Sequence, residues 1–259
     1  MALSYAVARL LSMPRDPDWL HPLVVRRVRC AADAEPDFER WPARLAPVRQ
    51  VLTEGLDLAK LTILVGENGS GKSTLVEAIA MAFGMPGEGG STGARHATYP
   101  SESPLHDWLT LERGAGASKW GYFLRAETTH GLFTYLKNNP GGWDPDFHAL
   151  SHGESFLAML RSRRFQGEGL FVMDEPEAGL SFSAQLALVG TLHALAADPG
   201  TQMLIATHSP VLASIPGATL LQLDHTGIHR REWGELESVI NYTNFLTEPR
   251  RYLRHVLQE

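Results

Sequence analysis

Residues Gly66 to Ser73 read "GENGSGKS" and sit between an apolar run, "LTILV", and a stretch of helix formers that begins near Lys72. Gly66, Gly71, Lys72 and Ser73 fill every fixed position of G-x-x-x-x-G-K-[ST] in its strand–loop–helix setting. Glycines let such a loop take positive φ and turn successive backbone N–H groups toward one anion. The helix that follows adds the positive end of its dipole. The loop residues Glu67, Asn68, Gly69 and Ser70, with Thr74 just beyond, complete the predicted phosphate cradle. Lys72 is expected to reach the β- and γ-phosphates of a nucleotide, and the Ser73 hydroxyl to ligate Mg²⁺.

A second carboxylate has to share that metal. "GLFVMDEPEAGLS" ends an apolar strand on Asp174, so the acid falls at the carboxyl edge of a sheet, where open α/β sheets bind ligands. Asp174 is the predicted second metal residue and Glu175, next in line, the predicted group that polarises water. "QMLIATHSP" brings His208 to the end of another apolar strand, where its imidazole can meet a γ-phosphate.

One further stretch reads two ways. In "HALSHGESFLAML" Ser151 precedes Glu154 by three positions, the pattern of a capping box. The same serine, with Gly153 at a helix start, could instead contact a phosphate. A carboxylate aimed at a phosphate is repelled, so Glu154 is expected to turn back onto the Ser151 backbone.

The elements that must carry these residues follow from pattern. Strands are expected at "WGYFLRAE", "GLFVMDE", "QMLIATH" and "ATLLQLD", helices from Ser151 and over "SFSAQLALVGTLHALAAD", a possible helix over 105–113, and loop over 85–104. Continuous apolar strands separated by helices predict an α/β fold with a mostly parallel sheet covered on both faces. The chain is expected to form a single domain over 1–259, with about 85–165 as a loop-rich and helical sub-lobe.

Composition sets bounds on partners. The 259 residues are 44% hydrophobic and 20% charged with a net charge of −6, so no global charge attracts nucleic acid or an anionic membrane. The arginine-dense pieces "VVRRVRC" and "EPRRYLRHV" read as solvated faces. Cys30, the single cysteine, precludes an internal disulfide and suits a reducing compartment. No signal peptide is read at the start, and no run approaches the roughly 18–20 apolar residues of a membrane span. The expected location is cytoplasmic, without membrane insertion. Asp144, Asp146 and His148 in "WDPDFH" read as a polar turn rather than a metal site.

The order of these motifs resembles an ABC-type ATPase head, with "LSHGE" similar to the LSGGQ signature. "GENGSGKSTLVEAIA", "GYFLRAET", "SHGESFLAML" and "MDEPEAGLS" resemble a bacterial family of small stand-alone AAA/ABC ATPases, from about Trp41 to the C-terminal tail. "DEPEAGLS" is more similar to the chromosome-maintenance and recombination branch than to the transporter branch. The resemblance implies that Ser151 and Gly153 touch ATP held by a second subunit in a head-to-tail homodimer, and that Ser181 lies in a loop facing that subunit. It also implies a glutamine at the metal after a central strand; here Glu127 is the nearest stand-in, its alternative being an ion pair with Arg125. Trp41 and Arg49 are both candidates for stacking on adenine.

The expected activity is ATP hydrolysis coupled to a process with an unidentified protein partner, a DNA-maintenance or defence role being favoured although the charge does not indicate DNA. The alternatives are the nucleotide-binding subunit of a membrane transporter and a slow nucleotide-gated binding module.

Overall fold

The computed structural model describes residues 23–92, 103–126 and 152–257. Strands β3 (Leu61–Gly66), β6 (Gly121–Arg125), β7 (Gly169–Asp174), β8 (Thr201–Thr207) and β9 (Thr219–Asp224) run parallel. With β4 (Gly90–Ser91) and β10 (Gly227–Arg231) antiparallel at the two edges, the order is β10-β9-β3-β8-β7-β6-β4. The expected α/β fold is the one observed.

Strands β7 and β8 are buried along their whole length, as a sheet covered on both sides requires. Alternate residues divide between two cores. Leu64, Leu170, Val172, Leu204 and Ala206 point to one side, and Ile63, Phe171, Met173, Met203 and Ile205 to the other. Helices α1 (Ala46–Glu54) and α2 (Lys72–Phe83) close the first core. Helix α3 (His152–Leu160) and helix α4 (Phe182–Ala196) close the second. Helices α5 (Glu237–Thr247) and α6 (Pro249–Val256) follow.

Two pieces differ from the pattern-based expectation. The helix expected over 105–113 is one 3-10 turn, Pro104–Trp108, followed by strand β5 (Leu109–Arg113). The alternation in "LTLER" finds its partner in strand β1 (Val25–Cys30), the arginine-dense "VRRVRC". These strands and β2 (Leu56–Asp57) form a small antiparallel sheet, so the basic run is a half-buried strand rather than a surface face alone. Only the long-range pairing decides this, because five alternating residues suit either state.

Gln202 ties the two sheets together. It is 2% exposed; its amide nitrogen donates to Val25 O at 2.8 Å and Ala59 O at 3.0 Å, and its oxygen accepts from Val25 N at 2.8 Å. Gln202→Leu strands buried backbone groups at a cost of about 1–3 kcal/mol each. Urea unfolding is expected to show a loss of about 3 kcal/mol or more, the low end for three such groups.

Candidate functional site

Four parallel strands end side by side, and their register aligns what they carry. Arg125 pairs with Asp174, Asp174 with Ala206, and Val65 with Thr207. Gly66, Asp174 and His208 therefore meet at one carboxyl edge of the sheet.

The loop between β3 and α2 is shaped by glycine. Gly69 and Gly71 have φ of +80° and +96°, and a Cβ on Gly66 would collide with the Leu223 carbonyl of β9. Gly71 is the left-handed N-cap of α2, with no side chain to cap the first turn, which contains Ser73 and Thr74. Ser70 Oγ is buried inside the loop with no partner among the described residues.

Lys72 is 3% exposed, and its Nζ donates to Gly66 O at 2.8 Å and Glu67 O at 2.9 Å. Burial lowers its pKa, opposed by the carboxylates of Glu175, Asp174, Glu177 and Glu67. Ser73 Oγ donates to Asp174 Oδ1 at 3.0 Å. That pair offers two hard oxygen donors, which suit Mg²⁺ if phosphates and water complete its shell. Among the described residues no cluster of three or more His, Cys, Asp or Glu could hold a metal by itself.

Glu175 follows Asp174 with φ of +51°, a left-handed conformation that is costly for a residue with a Cβ. The turn aims its Oε1 at His208 Nε2, 2.6 Å away, while His208 Nδ1 lies 3.5 Å from Lys72 Nζ. The imidazole thus stands between a carboxylate at Nε2 and an ammonium at Nδ1.

Glu177 was not singled out from the sequence. Its Oε1 accepts from Thr207 Oγ1 at 2.5 Å, His208 N at 2.8 Å and Ser209 N at 3.1 Å. It clamps the end of β8 and so sets where His208 points. The signal for it was its distance of two residues from Glu175 in an acidic turn, which looks like a solvated loop. Ser181 Oγ accepts from Ala184 N at 3.3 Å as the N-cap of α4.

A cavity of about 410 Å³ adjoins the loop on the side away from Asp174, walled by Leu45, Pro47, Asn68, Leu223 and His225. Neither Trp41 nor Arg49 lines it. Arg49 instead lies over the Phe38 ring and donates to Phe38 O at 2.6 Å. His225 is held by the β9–β10 turn. Burial raises the Asp224 pKa, but hydrogen bonds from Thr226 and Gly227, aided by His229, bring it down to about 2.

Several expected residues cannot be located. Ser151, Glu127 and the "WDPDFH" turn lie outside the described residues; Gly153 falls in the first turn of α3. Arg125, the alternative partner for Glu127, pairs with Glu77 and Asp174.

An AAA-domain family model matches residues 52–107, and a second AAA-domain model, whose description carries "AbiEii toxin, Type IV TA system", matches residues 155–214. Between them they take in the phosphate loop, Asp174, Glu175 and His208. The zinc import ATP-binding protein ZnuC of Vibrio cholerae is 29% identical over 81% of this chain and 77% of its own length.

The chain is a P-loop ATPase of the AAA/ABC type.

The cytochrome c biogenesis ATP-binding export protein CcmA of Gluconobacter oxydans, 29% identical over 73% of this ATPase and 81% of itself, also resembles it. The solved structure of cbiO1 from Clostridium perfringens, part of the ABC transporter complex cbiONQ, superposes with a TM-score of 0.44 at 15% identity, covering 79% of this chain and 90% of that one. The names of ZnuC and CcmA are those of import and export ATPases and give the preference for DNA maintenance no support. "DEPEAG" had suggested the DNA branch, yet its second glutamate serves as the strand-end clamp. In this ATPase the acid therefore has a local structural use and does not discriminate between processes.

Removing the clamp is expected to be costly. Glu177→Ala leaves the Thr207 hydroxyl and two amides without a charged acceptor, worth about 1.5–3 kcal/mol per such bond. Thermal unfolding is expected to report a loss of about 3 kcal/mol or more.

Proposed function

We propose that the ATPase binds MgATP at the β3–α2 loop and hydrolyses it as the nucleotide-binding subunit of a membrane transport assembly. The observation that supports this reading of the site is the convergence of Lys72, the Ser73–Asp174 pair and the Glu175–His208 pair at one sheet edge. Backbone N–H groups of Gly66 to Ser73 bind the phosphates, and Lys72 trades its two carbonyl partners for phosphate oxygens. Ser73 and Asp174 hold Mg²⁺, which supplies charge neutralisation across the phosphates. Glu175 orients the attacking water, and His208, its backbone held by Glu177, turns its imidazole N–H from Glu175 to hydrogen-bond the γ-phosphate. The adenosine occupies the cavity walled by Leu45, Pro47 and His225, with the imidazole against the base.

Ser151 and Gly153 of a second copy complete each site across a head-to-tail homodimer, and Ser181 lies in the loop facing that copy. Loss of the γ-phosphate replaces the bridging contact with repulsion and loosens the pair. The names of the relatives support a membrane-embedded partner and a peripheral position at the inner face. No helix among the described residues is long and apolar enough to cross a membrane.

Glu175→Gln is expected to lower kcat by about 10²–10⁴-fold while retaining ATP. Light scattering with ATP and Mg²⁺ should then report two chains per particle, and one without nucleotide. A variant that stays monomeric with ATP bound overturns the shared site. Turnover equal to the unmodified chain removes Glu175 from its role. Co-purification of the same variant with an integral-membrane protein tests the transport assignment; recovery with DNA or a nuclease contradicts it. His225→Ala is expected to weaken binding of a fluorescent ATP analogue by about tenfold, the loss of one stacking contact.

A further inference from the structure

Arg125 has no part in the site as read from the sequence, yet it ends β6 directly beside Asp174 on β7. In a parallel pair, aligned residues stand on the same side of the sheet. Arg125 Nη1 donates to Glu77 Oε2 at 2.6 Å, and its Nε lies 3.6 Å from Asp174 Oδ2. Glu77 sits one helical turn beyond Ser73 on α2, so the two share a face. The four side chains form a ring: Ser73 to Asp174 Oδ1, Asp174 Oδ2 to Arg125, Arg125 to Glu77, and α2 back to Ser73. The side chains of Asp174, Glu77 and Arg125 are 5%, 13% and 21% exposed, so water screens the ring weakly.

We propose that Arg125, anchored by Glu77, is a positioning residue that orients the Asp174 carboxylate for Mg²⁺. At 3.6 Å the Nε–Oδ2 contact is an ion pair rather than a hydrogen bond, so its pull is Coulombic. It draws Oδ2 toward β6 and leaves Oδ1 turned to Ser73 and the metal position. Without it Oδ2 loses that pull, and the soft terminal torsion lets the carboxylate sample a wider range of orientations about its Ser73 contact. Glu77 offsets the arginine charge, so the ring as a whole stays anionic and does not repel a divalent cation. Partners behind a ligating carboxylate set metal affinity by about 10–100-fold. The inference rests on the proposed metal pair Ser73 and Asp174.

The test uses the full chain with ADP and Mn²⁺ as a paramagnetic stand-in for Mg²⁺, free Mn²⁺ being read by electron paramagnetic resonance. Arg125→Met is expected to raise the Mn²⁺ Kd by about tenfold, while binding of a fluorescent ADP in EDTA changes less than about twofold. Arg125→Lys, which keeps the charge, should recover part of the loss. Glu77→Gln should weaken Mn²⁺ in the same direction, and the double variant should be no worse than Arg125→Met, since both act through one contact. Unchanged or tighter Mn²⁺ binding in Arg125→Met overturns the inference. If that variant does not fold, unchanged Mn²⁺ binding in Glu77→Gln overturns it. Asp174→Ala separates the two levels. Unaltered Mn²⁺ binding there sinks the metal pair itself, whereas lost binding there with none lost in Arg125→Met sinks the arginine's role alone.

Discussion

An ammonium ion taken out of water has to be surrounded by acceptors, and Lys72 meets that condition at 3% exposure. Two carbonyls of its own loop take its protons directly, and four carboxylates stand close enough to counter the pull of burial on its pKa. The loop could not fold back over the lysine without glycines at +80° and +96°, nor approach β9 with any side chain at position 66. The carboxylates could not gather there unless neighbouring strands ended in step. The burial of one cation thus links local backbone conformation to the register of the whole sheet.

The edge carries more ties than binding a phosphate demands. Glu175 holds a left-handed turn, and His208 bridges it to Lys72. Glu177 fixes the backbone on which His208 stands, and Ser209 continues the network to Gln185 at 2.6 Å. Loop residues acquire fixed directions in this way because each backbone donor at the strand end is matched by a side chain. Glu177 in the turn after β7 thereby has a local use in hydrogen bonding.

Much of this was legible beforehand because it is local. The glycine spacing of the phosphate loop and the apolar runs ending in Asp174 and His208 lie within windows of about a dozen residues. Contacts such as Arg125 with Glu77, 48 positions apart, or Gln202 with Val25, 177 apart, leave no periodic trace. The segment after Ser103 read as helix because its partner, β1, lay about 80 residues upstream. The Leu45–His225 cavity escaped notice for the same reason, since it joins the start of α1 to a turn near the far end of the chain.

By itself, then, the sequence determined which residue types stand at strand ends and helix starts, since hydrophobic period and glycine spacing act over one or two turns of chain. It also determined an α/β sheet buried on both faces. Tertiary structure alone decided which strands adjoin, that Arg125 stands beside Asp174, and that Glu177 grips the backbone of His208. Those choices depend on parallel pairing and on neutralising buried charge, and both are settled only when distant segments meet in a low-dielectric interior.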